Sequence, residues 1–71
     1  MNKEEKILEI FSKLKKEKPD WHFYITTTNK LVVYTSLPAD KLDEGKDYFH
    51  EIVKLLDLKY KIDTNNVFVI Y

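Results

Sequence analysis

The sequence predicts a two-layer α+β fold, with both helices on one face of a mostly antiparallel sheet. Three observations lead there. Apolar residues recur at helical spacing near the start of the chain and again in its middle. Each of these stripes is followed by short runs that read as strands, with polar turn residues between them. One segment also nearly repeats: "ITTTNKLVVY" at residues 25–34 returns as "IDTNNVFVIY" at residues 62–71, with five of ten positions identical. The predicted order is helix, hairpin, helix, hairpin (αββαββ). It becomes αββαβ if residues 58–63 are loop.

The first helix is predicted from Asn2 to Lys18. Ile7, Ile10, Phe11 and Leu14 form one apolar face, widened by Leu8. Asn2 and Glu5 have capping-box spacing, and Glu4 adds negative charge where a helix N-terminus favours it. Lys13, Lys15, Lys16 and Lys18 crowd the last turns, and Pro19 stops the helix.

Residues 21–27 alternate, with Trp21, Phe23 and Ile25 on one side and His22, Tyr24 and Thr26 on the other. Thr28, Asn29 and Lys30 supply turn chemistry, and residues 31–37 return as a second strand. Its facing depends on loop length. A three-residue loop sets Leu31, Val33 and Leu37 beside Trp21, Phe23 and Ile25, whereas a two-residue loop sets Val32 and Tyr34 there. A one-residue slip reverses the whole strand.

The second helix is expected within residues 36–58, capped by Ser36 or Asp40, with Pro38 in its first turn. Leu42, Gly45, Phe49, Ile52, Val53 and Leu56 share one stripe, and Tyr48 and Leu55 extend it sideways. This width predicts that the second helix packs more centrally than the first. Gly45 inside the stripe points to close approach of another backbone, because glycine costs up to about 1 kcal/mol of helix propensity relative to alanine. The tail reads as a short strand, an Asn65-Asn66 turn of the type I′ class and a final strand. "VFVIY" is apolar on both faces, as in a sheet interior or a subunit interface.

Seventy-one residues make one domain, 1–71, small enough to be marginal in stability. The chain has no cysteine, so neither disulfides nor a thiolate zinc site can reinforce it. Twelve basic residues balance twelve acidic ones, and every basic residue is lysine. Without arginine the chain lacks the bidentate fork that reads guanine edges and clamps phosphates. Abundant Lys, Asn, Ile, Phe and Tyr fit an AT-rich genome. The N-terminus is too charged for a secretory signal and no apolar run is long enough to span a membrane, so a soluble, cytoplasmic protein is expected.

Catalytic and metal-binding patterns are weak. Asp47, His50 and Glu51 lie together on the polar side of the second helix, and His22 lies on a strand. That is ordinary solvated chemistry, without an H-E-x-x-H pattern or a G-x-S-x-G context. The single glycine rules out the usual phosphate-cradling loop. The expectation is a non-enzymatic protein with no catalytic residue, metal, cofactor or small-molecule substrate.

Two binding surfaces stand out. Aromatic residues crowd the predicted strands, and two helices cover only one sheet face. Tyr24, Tyr34, Tyr60, Phe68 and Tyr71 are therefore the protein-interface candidates, on the uncovered sheet face or the final strand edge. The expected partners are a second copy, as a homodimer, and an unidentified protein. Size and composition suit a phage or archaeal-virus accessory protein acting on a host protein. The alternative is nucleic-acid binding by the lysine-rich end of the first helix with neighbouring aromatics: Lys13, Lys15, Lys16, Lys18, Trp21 and His22. Against it, cations belong at a helix C-terminus in any case, and the acidic start and lysine-rich end of the second helix obey the same rule.

Overall fold

Asn2 starts the first helix: its Oδ1 accepts the backbone N–H of Glu5 at 2.8 Å, satisfying a donor that the helix itself cannot. The computed structural model describes residues 2–64 and 66–71. In it, helix α1 spans Lys3–Glu17 and buries Ile7, Ile10 and Leu14. The chain turns out of it as Lys18 N–H donates to Leu14 O at 2.7 Å, just before Pro19. Leu8 is exposed and does not widen the buried stripe.

Strands β1 (His22–Ile25) and β2 (Leu31–Tyr34) are shorter than the alternation suggests. Thr26 N–H donates to Lys30 O at 2.8 Å, and Asn29 N–H donates to Thr26 O at 3.1 Å. Asn29 takes a left-handed conformation, φ +58°, which asparagine tolerates better than most residues. The loop therefore holds three residues, Thr27–Asn29. It pairs Phe23 with Val33 and Ile25 with Leu31, which fixes the first of the two predicted facings. β2 ends where Thr35 leaves the ladder. This buried threonine donates both its N–H, at 2.8 Å, and its hydroxyl, at 3.1 Å, to Asn66 O.

The second helix is shorter than predicted. A 3₁₀ turn, Ala39–Lys41, leads into α2 (Leu42–Lys54). Neither Ser36 nor Asp40 caps it, because Pro38 and Lys41 occupy the cap positions and no side chain caps either N-terminus. Past its last turn, Leu58 N–H donates to Val53 O at 3.0 Å, and Asp57 takes a left-handed conformation (φ +55°). Leu55 is 77% exposed, outside the buried stripe. Gly45 is buried for a reason other than backbone approach. A Cβ there would lie 2.8 Å from Leu37 Cδ1 and 3.2 Å from Phe68 Cζ, so the glycine makes room for side chains.

Residues 58–63 are not all loop: after Leu58 and Lys59, β3 spans Tyr60–Thr64 and pairs with β4, Val67–Ile70. The Asn65-Asn66 turn prediction falls partly on Asn65, outside the described residues. The sheet order is β1-β2-β4-β3, with every neighbouring pair antiparallel. The final strand is therefore interior, and β1 and β3 are the edges.

The repeated segment acquires a geometric meaning here. In the first hairpin Phe23 pairs with Val33, Tyr24 with Val32 and Ile25 with Leu31. The equivalent pairs in the second are Tyr60 with Ile70, Lys61 with Val69 and Ile62 with Phe68. Across the centre Leu31 pairs with Ile70, Val33 with Phe68, and Val32 with its own counterpart Val69. The two hairpins are thus related by a pseudo-two-fold axis through the Val32–Val69 pair. Both helices pack on the face that carries Leu31, Val33, Phe68 and Ile70. Phe49 sits at the middle of this core, its ring stacked on Phe68 at 4.3 Å and on Trp21 at 5.8 Å.

Candidate interaction surface

Side chains in a strand alternate between faces, so the residues between those of the helix-covered core point the other way. On β2 and β4 these are Val32, Tyr34, Val67 and Val69; on β1 they are His22 and Tyr24. Lys61 stands opposite Val69 on β3, and Tyr71 continues the chain past β4, its N–H donating to Lys59 O at 2.9 Å. Neither helix packs on this face. Its three valines form a small cluster of their own, each 8% exposed, separate from the main core.

Tyrosines screen that cluster. Tyr24 and Tyr34 stack with ring centroids 6.1 Å apart and planes 29° apart. The two side chains remain 49% and 44% exposed. The Tyr34 hydroxyl raises the Tyr24 pKa above its ordinary value, with a smaller contribution from burial. Toward the other side of the face Tyr71 is exposed, with Lys61 Nζ 5.9 Å from its ring centroid. The face thus combines buried valines with exposed tyrosines. Such a composition suits burial against another macromolecule, because Tyr contributes large contact area and still satisfies its polar tip.

Three of the five protein-interface candidates lie on this face: Tyr24, Tyr34 and Tyr71. Phe68 and Tyr60 do not. Phe68 is fully buried beneath α2, between Gly45 and Phe49. Tyr60 is half-buried on the same side, 6.3 Å from Phe49 and 6.1 Å from Phe68 between ring centroids. With Val67 and Val69 facing outward, strand alternation turns Phe68 inward, and Tyr60 shares its face through the pairing with Ile70. The final strand offers no edge either.

The nucleic-acid candidates do not form one surface. Trp21 is buried: Phe49 stacks on it, Tyr48 meets it edge-on at 5.9 Å, and Lys18 Nζ lies 5.4 Å from its ring centroid. No ring face is left for a base. His22 points to the opposite side of the sheet. Lys15 Nζ lies 5.5 Å from the Phe11 ring. Lys13 borders a shallow depression of about 100 Å³ between the helices, with Ile10, Ile52 and Leu56, while Lys16 faces solvent.

Elsewhere, His50 borders an open depression of about 390 Å³ beyond the end of α2, together with Lys54, Asp57 and Tyr60. Asp47 and Glu51 are exposed beside it, and His22 lies across the sheet. Among the described residues no three His, Asp or Glu side chains come close enough to share a metal ion. No helix among them is long and apolar enough to cross a membrane. Sequence reasoning did not single out Val32, Val67, Val69 or Lys61: the three-residue first loop turns Val32 outward, and the pairings of β4 with β2 and β3 place Val67, Val69 and Lys61 on the same face. Comparison with known proteins found no matching family, no matching curated protein and no matching solved structure.

Proposed function

We propose that this chain is a non-enzymatic protein-binding module, self-associating and engaging a partner protein through the tyrosine face of its sheet. One observation carries the reading: Tyr24, Tyr34 and Tyr71 stand exposed together over Val32, Val67 and Val69, on a face that neither helix covers. Apolar and aromatic groups grouped in this way are a common mark of an interface on a small domain. The chain's size and lysine-rich composition suit a phage or archaeal-virus accessory protein acting on a host protein. The test compares proteins retained by the wild-type chain with those retained by a Tyr34→Ser/Tyr71→Ser variant of unchanged fold. The reading expects a specific partner held by the wild type and lost by the variant. Identical retained sets contradict it.

A second reading rests on Lys61 beside Tyr71 and Lys59 opposite it, because aromatic rings flanked by lysines can stack single-stranded bases. It moves nucleic-acid binding from the end of α1 to the sheet. Salt-dependent binding of a mixed-sequence single-stranded oligonucleotide, lost in the same double variant, would favour it over a protein partner.

A further inference from the structure

We infer that two copies of this chain join through β1, antiparallel about a two-fold axis at Tyr24, fusing two four-stranded sheets into one. The inference deepens the self-association in the reading above, and it rests on that reading only in leaving the tyrosine face free for a partner protein.

The two sheet edges differ. Antiparallel ladders bond through alternate residues. Thr26 N–H donates to Lys30 O, so Thr26, Tyr24 and His22 bond inward to β2, while Phe23 and Ile25 direct their N–H and C=O groups outward. Tyr71 N–H donates to Lys59 O, so by the same rule Tyr60 and Ile62 are the outward residues of β3. The β3 edge is defended. Lys59, Lys61 and Asp63 are exposed along it, and the ladder breaks register between Ile62 and Thr64. Charges and bulges of this kind discourage an added strand. The β1 edge has no such defence. From Trp21 to Asn29 there is no Lys, Asp, Glu or Pro, and the register is unbroken.

The β1 edge also complements itself. Centring a two-fold on Tyr24 pairs Phe23 with Ile25 of the second copy, and Ile25 with its Phe23. All four outward backbone groups of each strand are then bonded. Centring it on Phe23 would call on Trp21, whose N–H is already given to Lys18 O at 3.1 Å. In the Tyr24 register His22 faces Thr26 of the second copy, so no like charges meet. Phe23 and Ile25 are only half-buried although they point toward the helices, and a second strand would cover their open flanks. On the outer face Tyr24 meets Tyr24 of the second copy, extending each Tyr24–Tyr34 stack across the junction into a wider tyrosine surface.

The chain has no cysteine, so single cysteines report the pairing cleanly. In this register the two Tyr24 positions form a non-hydrogen-bonded pair with Cα atoms about 4.5 Å apart, within the roughly 4.4–6.8 Å span of disulfides. Mild oxidation of the Tyr24→Cys chain is expected to yield a species of twice 8.6 kDa on a non-reducing gel. A mixture of His22→Cys and Thr26→Cys chains is expected to cross-link, and neither alone. That pair serves even if loss of Tyr24 weakens association. Tyr34→Cys and Tyr71→Cys are expected to stay uncross-linked. Cross-linking through positions 34 or 71 but not 24, or a wild-type chain that remains at 8.6 kDa at millimolar concentration, overturns the inference. So does a dimer in which neither Tyr24→Cys nor the mixed pair forms a disulfide. Partner capture by the tyrosine face is a separate readout, so failure of either idea shows independently of the other.

Discussion

Replacing Gly45 with alanine sets two effects against each other. At an exposed helical site the change stabilises by about 1 kcal/mol through helix propensity. At position 45 the new methyl group lies 2.8 Å from Leu37 Cδ1 and 3.2 Å from Phe68 Cζ. Leu37 is half-buried and can turn its side chain aside. Phe68 cannot easily retreat, because it is fully buried with its ring stacked on Phe49 at 4.3 Å. Overpacking of a tight core costs about 1–3 kcal/mol. Taking the middle of that range, packing outweighs propensity and Gly45→Ala loses about 1 kcal/mol, which lowers Tm by about 4–8 °C in a domain of this size. Thermal and urea unfolding at one fixed protein concentration measure it. A gain of about 1 kcal/mol, the propensity effect in full, would refute the reasoning. It would mean that the Phe68 ring does not lie against α2, and Phe68 would again be a candidate for the outer surface.

Phe68→Ala is expected to cost about 3–5 kcal/mol in urea unfolding. That is a large share of the stability of a chain of this length, roughly 4–10 kcal/mol, so the urea midpoint of the variant should fall steeply. Tyr34→Ser and Tyr71→Ser should leave the circular dichroism spectrum unchanged and shift stability by no more than about 1 kcal/mol, since both residues are exposed; a large loss would place them in the core. Asn2→Ala removes the hydrogen bond to Glu5 N–H and should cost about 1 kcal/mol. Partial burial first, and then the hydrogen bond its hydroxyl donates to Glu17 Oε1 at 2.8 Å, raise the Tyr48 pKa well above its ordinary value of 10.0. The fold thus favours the neutral phenol, and this stabilisation is complete below the unfolded value and lost as pH rises from there toward the folded one. Urea unfolding across that range should show a gentler decline for Tyr48→Phe than for the wild type.

The helices were legible because their apolar residues repeat at one period and their ends carry recognisable chemistry. Asn2 caps α1 as its spacing with Glu5 suggests, although α2 begins without the side-chain cap that Ser36 or Asp40 promised. The order αββαββ followed from turn residues between apolar runs. Facing was harder to read. On β1, alternation separates Trp21, Phe23 and Ile25 from His22 and Tyr24, and the structure keeps that division. On β4, "VFVI" is apolar at every position, so period two leaves no trace. Only its pairings with β2 and β3 turn Phe68 inward and Val69 outward. Tyr60 suffers the same ambiguity at second hand, because its face is set by Ile70. Leu8 and Leu55 show the converse: hydrophobicity marks them for the core, but they sit beyond the width of surface that the sheet and the other helix can cover. Gly45 was legible as a close approach but not as one made by a phenylalanine ring.

Backbone amide exchange, followed residue by residue at increasing protein concentration, tests the unequal edges most directly. Phe23 and Ile25 on one edge and Tyr60 and Ile62 on the other all direct their N–H groups outward, so in an isolated chain all four should exchange rapidly. Pairing through β1 predicts that Phe23 and Ile25 gain protection as concentration rises, while Tyr60 and Ile62 remain unprotected. Four amides that exchange alike at every concentration, or protection that grows on the β3 edge instead, would contradict it.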